Sequence, residues 1–315
     1  MKGRFAPSPS GRMHIGNVYA ALMSYLHAKK QGGAWLLRIE DLDAQRCKRE
    51  YADALLSDLR WIGLTWDEGP EKQATESFFQ SERTAFYEAA LTTLKSKATL
   101  YDCFCSRADI FAASAPHASD GTIVYSGKCK TLSQEARASL LATRKPATRI
   151  AVPDSESSFI DGHYGLQREN LLKDTGDFIV QRADKNFAYQ LAVTVDDALM
   201  GVTDVARGRD LLASTHQQLF LYHLLGYTPP AFFHLPLLVA PDGRRLAKRH
   251  GGSSMKELRE CYSPQQLIGL IMHLCGFIPK AEAVSLSEAL ALFEPDALPT
   301  KDIVVPTDRL DIAQL

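Results

Sequence analysis

Pro7, Ser8, Pro9, Ser10 and Gly11 lead into His14, Ile15, Gly16 and Asn17 at the start of a helical pattern. Free backbone N–H groups and the positive end of a helix dipole favour an anion there, and a nucleotide phosphate fits. Gly16, without a Cβ, lets a base or ribose approach the backbone, while His14 can donate a hydrogen bond to phosphoryl oxygens that gain charge in a transition state. Far down the chain, Gly243 to Gly252 (GRRLAKRHGG) carries basic side chains, Lys248 among them, on a Gly-flanked loop that can close over a triphosphate. A separate group, Cys103, Cys105, Tyr125 and Cys129, has a C-x-C and Y-x-x-x-C spacing suited to one tetrahedral metal, with zinc the natural occupant and His117 a nearby alternative to Tyr125 as fourth ligand. Taken singly, these patterns also fit a capped helix, solvated surface charge and buried thiols.

The elements that must position these groups are legible from periodicity. Lys2 to Ala6 reads as a short strand, the helix after it places Val18, Ala21, Leu22, Tyr25 and Leu26 on one face, and Ala34 to Ile39 is an apolar run of strand length. Strand, helix, strand at that spacing predicts a βαβ unit and a parallel sheet, with Glu40 directly after the second strand. Further helices are expected over Tyr51 to Ile62, roughly Ser81 to Leu94, Ser214 to Leu225, and in the tail after Met255. Strand-like alternation is read near Phe187 to Val195, and Phe232 to Ala240 reads as a buried strand or loop entry. The character changes between residues 101 and 177, predicting an inserted domain. The catalytic α/β domain is then discontinuous, 1–100 and 178–240, followed by the basic loop and a helical segment over 241–315, whose end after Lys301 looks loosely held.

Composition narrows the classes. With 36 Lys and Arg against 37 Asp and Glu, any nucleic-acid surface must be a local patch. No stretch is long and apolar enough to span a bilayer, and six cysteines in 315 residues are too few for a disulfide scaffold, so a cytoplasmic protein with reduced thiols is expected. Cys47, Cys261 and Cys275 read as packing residues.

In one chain and in this order, Arg4 to Gly11 with His14 to Asn17 resembles the HIGH signature of class I aminoacyl-tRNA synthetases, and Arg245 to Arg249 resembles their KMSKS loop in its glutamyl variant. Between them, RIEDLD (Arg38 to Asp43), WIGLTWDEGP (Trp61 to Pro70), FQSER (Phe79 to Arg83) and DDALMGVTDVARGRDL (Asp196 to Leu211) look like glutamyl-type blocks. The resemblance implies a Rossmann-like parallel-sheet catalytic domain with an inserted zinc-containing α/β domain and a C-terminal stem-contact-like helical segment.

It also implies a glutamate pocket of Arg4, Ala6, Ser8, Glu40, Tyr189 and Arg207, with Glu40 on the ammonium; an ATP site of His14, Gly16, Asn17 and Lys248; and catalysis by His14 and Lys248. An acidic substrate with two carboxylates and one ammonium suits that set, since arginine grips carboxylate bidentately. Mg²⁺ is expected on the ATP phosphates. Asn17, Arg245 and Ala247 depart from the family pattern; Asn still donates and Arg is still cationic, whereas Ala247 removes a hydroxyl.

The chain stops soon after its basic loop, so no anticodon-binding domain is expected. That feature, together with Tyr125 and Asn17, resembles the glutamyl-Q tRNA(Asp) synthetase family. The implied activity is ATP-dependent activation of L-glutamate without tRNA, then transfer to the queuosine base in the anticodon loop of tRNA(Asp), by a monomer. The same resemblance selects Tyr125 over His117 as metal ligand. Open alternatives are a minimal synthetase charging the 3' end of tRNA(Glu) and a non-catalytic ATP- or glutamate-binding relative.

Overall fold

The computed structural model describes residues 1–72, 74–106, 109, 124–244 and 254–305. His117, Arg245, Ala247 and Lys248 therefore lie outside the described residues. The first half of the chain runs β1 (Lys2–Phe5), α1 (Ile15–Lys30), β2 (Ala34–Leu37), α2 (Arg49–Trp61), α3 (Thr84–Lys97), β3 (Leu100–Cys103), α4 (Gln134–Leu141) and β4 (Ala147–Ile150). There follow β5 (Glu156–Asp161), β6 (Gly165–Asn170), β7 (Phe178–Gln181), α5 (Tyr189–Leu199), β8 (Asp204–Gly208), α6 (Ser214–Leu225) and β9 (Ala231–Leu235). The chain closes with β10 (Leu238–Val239), α7 (Met255–Cys261), α8 (Pro264–Leu274), α9 (Leu286–Leu292) and β11 (Ile303–Val304).

The expected βαβ unit is present: β1 and β2 pair in parallel, Arg4 opposite Leu36, across α1. The sheet has the order β2-β1-β8-β9 and is parallel throughout. Its connections leave β1 towards β2 on one side and return through β8 on the other, so the strand order reverses at β1 and β8. In open α/β sheets a crevice forms outside the carboxyl ends of the strands at such a point. Arg4 and Arg207 are on β1 and β8, and Glu40 follows β2.

One face of α1 supplies Ile15, Val18, Leu22 and Leu26 to a core shared with α2 and the C-terminal helices α7 to α9. Truncating a fully buried leucine such as Leu22 to alanine costs about 2–5 kcal/mol. α1 begins with a reciprocal capping box: the His14 side chain accepts from the backbone of the first turn and Asn17 accepts from the backbone of His14.

Three expectations change. Phe187 to Val195 is not a strand, because Tyr189–Leu199 is a helix. Leu191, Ala192, Val193 and Val195 are all buried, and a short consecutive buried run does not tell helix from strand by periodicity. An antiparallel unit begins at β3 and crosses the boundary expected at residue 177. Its antiparallel sheet, in the order β3-β4-β7, runs on to Gln181, and Ile150, Phe178 and Val180 share a core with Leu94, Leu191 and Leu221 of α3, α5 and α6. The chain after Lys301 is held as far as Val305, since β11 pairs with β10 and Val305 is buried. No helix among the described residues is long and apolar enough to cross a membrane.

Candidate active site

Arg4, on β1, is buried, and its guanidinium faces the Asp197 carboxylate on α5 at 3.4 and 3.5 Å. Arg38, just past β2, donates to Asp197 Oδ1 at 2.7 Å and to Glu40 Oε1 at 3.3 Å, with Asp196 Oδ2 3.7 Å from its Nε. Asp196 in turn accepts from Arg83 (2.8 Å), Gln80 (2.8 Å) and Tyr87 (2.7 Å). Three blocks far apart in sequence, around Arg38, Arg83 and Asp197, thus close into one buried charge network. Sequence reasoning placed these residues within motifs but gave them no role, because a motif names positions and not the pairs they form.

This network frames a cavity of about 250 Å³ lined by Ser8, Ser10, Glu40, Gln80, Arg182 and Tyr189, among others. Ser8, Glu40 and Tyr189 come together there as expected. Ala6 is half-buried and, two residues on from Arg4, lies on the same side of the strand line. Burial raises the Tyr189 phenol above its usual range; Glu40 adds to the rise, and Arg207 and Arg4 are close enough to oppose it. Arg4, Ala6 and Arg207 are not among the residues that line the cavity, although Arg4 and Arg207 act on the Tyr189 phenol. Burial also lifts the Glu40 carboxyl to about 6, a rise that Arg38 and Arg4 limit. Asp197 is held below the usual carboxylate range: burial pushes it up, and Arg38 and Arg4 more than offset this.

Arg207, at 5% exposure, is surrounded differently. It donates to His234 Nε2 (3.0 Å), Gln218 Oε1 (2.9 Å) and Thr215 Oγ1 (2.8 Å), all uncharged acceptors. Among the described residues no carboxylate lies within ion-pair distance of it. A buried cation with a neutral shell is costly unless a ligand brings the charge.

At the start of α1, Gly16 N–H donates to His14 Nδ1 at 3.1 Å, which leaves the proton of the neutral imidazole on Nε2. A Cβ on Gly16 would come 3.0 Å from His14 Cε1, so the glycine also makes room for the ring that caps the helix. Ser254, the first described residue after the basic loop, bridges to His14, and Met255 N–H donates to Met13 O at 2.8 Å. Ser254 and Met255 are therefore anchored beside the start of α1.

Away from this cavity, the thiols of Cys103, Cys105 and Cys129 lie within 4.8 Å of one another. Tyr125 Oη is 3.6 Å from Cys103 Sγ and 3.8 Å from Cys105 Sγ, and it accepts from Cys129 N–H at 2.9 Å. Three sulfurs and one phenolic oxygen on a single centre form a donor set compatible with zinc. Arg149, unremarked in the sequence, donates to Cys103 Sγ at 3.1 Å and lies over the Tyr125 ring at 3.7 Å, a place from which a guanidinium would offset thiolate charge. All six cysteines are free; Cys275 is buried as expected, whereas Cys261 is exposed and Cys47 lines the cavity.

Residues 1–303 match the family described as tRNA synthetases class I (E and Q), catalytic domain. The chain is 46% identical to the glutamyl-Q tRNA(Asp) synthetase of Symbiobacterium thermophilum, covering 98% of this chain and 97% of that one. It is 42% identical to the protein of the same name from Nitratidesulfovibrio vulgaris, over 99% and 97% of the two chains. Among solved structures, a glutamate tRNA ligase from Elizabethkingia meningosepticum in complex with its amino acid superposes with a TM-score of 0.80 at 27% identity, over 96% of this chain and 66% of the ligase.

Proposed function

The chain belongs to the class I tRNA synthetases for glutamate and glutamine, within the glutamyl-Q tRNA(Asp) synthetase family, and from that premise we propose how it works. It is an ATP-dependent ligase that activates L-glutamate and transfers it to the queuosine base in the anticodon loop of tRNA(Asp). The observation that carries the glutamate assignment is Arg207, a buried guanidinium whose hydrogen-bond shell is neutral, near the Tyr189 that lines the cavity with Glu40.

One carboxylate of glutamate supplies the charge that Arg207 lacks, Glu40 takes the ammonium, and Arg4 stands ready for the other carboxylate; Ala6, Ser8 and Tyr189 complete the walls. Glutamine, lacking one anion, would leave Arg207 uncompensated. ATP lies across the start of α1, against His14, Gly16 and Asn17, with Mg²⁺ on its phosphates. The α-carboxylate, ionised at neutral pH, attacks the α-phosphorus in line, and pyrophosphate leaves. No general base is needed, and rate comes from alignment and from stabilising the developing charge by His14 Nε2–H and Lys248. The anchoring of Ser254 to His14 supports the assignment of Lys248, six positions earlier in the chain. A hydroxyl of the queuosine cyclopentene ring then attacks the acyl carbon and AMP departs.

Zinc, held by Cys103, Cys105, Tyr125 and Cys129, would brace the antiparallel sheet of the inserted region, which we assign to the RNA-facing side. Incubation with labelled glutamate, ATP and tRNA(Asp), with and without queuosine, tests the acceptor. Label should enter queuosine-containing tRNA even after periodate treatment of its 3' end; labelling that ignores queuosine would refute it.

A further inference from the structure

His234 lies on β9, next to β8, at 0% exposure, and its two ring nitrogens have separate partners. Nε2 receives the Arg207 Nε–H at 3.0 Å, so it must present a lone pair. Nδ1 is 2.6 Å from Asp161 Oδ2 and therefore carries the proton, donating it to the carboxylate. Burial lowers the basicity of His234, and Arg207 and Arg4 oppose a second proton, so the ring stays neutral despite Asp161. Asp161 is fixed in turn: its Oδ1 accepts the backbone N–H groups of His163 (3.0 Å) and Tyr164 (2.9 Å) in the turn between β5 and β6. That hairpin is tied to β9 by Gly162 N–H donating to Phe232 O at 2.8 Å, and a Cβ on Gly162 would come 2.9 Å from Phe233 Cδ2, so a larger residue would have to displace the Phe233 ring.

We infer that Asp161 and His234 are positioning residues that set the choice of glutamate over glutamine, acting through Arg207. A carboxylate placed directly on Arg207 would orient it equally well but would occupy the charge that the substrate must meet. A neutral imidazole orients the guanidinium and leaves it cationic. Asp161 balances that cation from one ring away and fixes the tautomer; without it, the ring could turn an N–H towards the Arg207 N–H. The inserted region thereby reaches the amino-acid pocket through its hairpin, a role separate from its cysteine cluster.

This inference rests on the glutamate-activating reading above. It is tested by glutamate-dependent ATP–pyrophosphate exchange in the full chain, comparing wild type with His234→Leu, His234→Gln and Asp161→Asn. Losing one hydrogen bond to a charged group corresponds to roughly tenfold or more in binding, so H234L and D161N should raise the glutamate KM by that factor. The ATP KM should stay within about twofold, and discrimination against glutamine should fall in parallel. H234Q can accept from Arg207 with its oxygen and donate to Asp161 with its amide, and should restore most of both.

The inference is overturned if D161N leaves the glutamate KM and the glutamate-to-glutamine ratio at wild-type values, or if both substrates' KM values rise alike and H234Q rescues neither. Should H234L fail to fold, D161N and H234Q carry the same comparison. Absence of exchange in wild type sinks the activity reading; exchange in wild type with unmoved variants sinks this inference alone.

Discussion

Two buried arginines of one sheet, Arg38 just past β2 and Arg207 on β8 with β1 between them, have opposite surroundings. Arg38 is wrapped by Asp196, Asp197 and Glu40, while Arg207 is wrapped by His234, Gln218 and Thr215. Arg38 is neutralised within the protein and acts as the keystone of the strand ends. Arg207 is oriented but not neutralised, which is what a receptor for an anion requires. Burial and residue type are the same at both; what separates structure from function is where the carboxylates are.

The sharpest way to break the Arg38 side is Asp197→Ala. It leaves Arg4 and Arg38 short of their shared partner in a dry environment and should cost about 3–5 kcal/mol of stability, read as a lower denaturant midpoint. If Arg38 instead behaves as a solvated charge, the loss will stay under about 1 kcal/mol. Chelation of the proposed zinc, or Cys129→Ser, should lower the melting temperature by roughly 5 °C without changing the glutamate KM, because the thiols lie beside the antiparallel sheet and not in the cavity. A change in glutamate KM on chelation would mean that the two regions are coupled.

The smallest expected effect comes from pH. Glu40, with its carboxyl at about 6, must be ionised to hold an ammonium, so its hold weakens as pH falls through that value. The glutamate KM should rise below pH 6 and level off above it, and Glu40→Gln should remove the break while raising the KM throughout.

Much of this site was legible in the sequence. The βαβ start, the placement of Glu40 at a strand end and the convergence of three cysteines follow from local spacing. Arg4 and Arg207 stood out only through the family blocks that contain them, and Tyr189 only through the family resemblance as a whole, since nothing in their own neighbourhoods separates them from surface or core residues. The helix of Tyr189 was hidden because its consecutive buried run, Leu191 to Asp197, does not separate helix from strand by periodicity.

Asp161 and His234 were illegible for another reason. They meet across 73 positions, through a hairpin in a region that read as a separate insertion, and a lone buried histidine carries no signal of the tautomer it must adopt. Arg38, Asp196 and Asp197 sat inside quoted blocks, but only the fold shows that they pair.

The most direct test of the claim that Arg207 is the charge awaiting glutamate is ATP–pyrophosphate exchange without tRNA, with glutamate or glutamine, in wild type and Arg207→Gln. Wild type should exchange with glutamate and discriminate strongly against glutamine. R207Q should lose glutamate-dependent exchange by about 100-fold, the scale of a desolvated ion pair, with its ATP KM unchanged. An R207Q variant that activates glutamate as well as wild type would contradict the account.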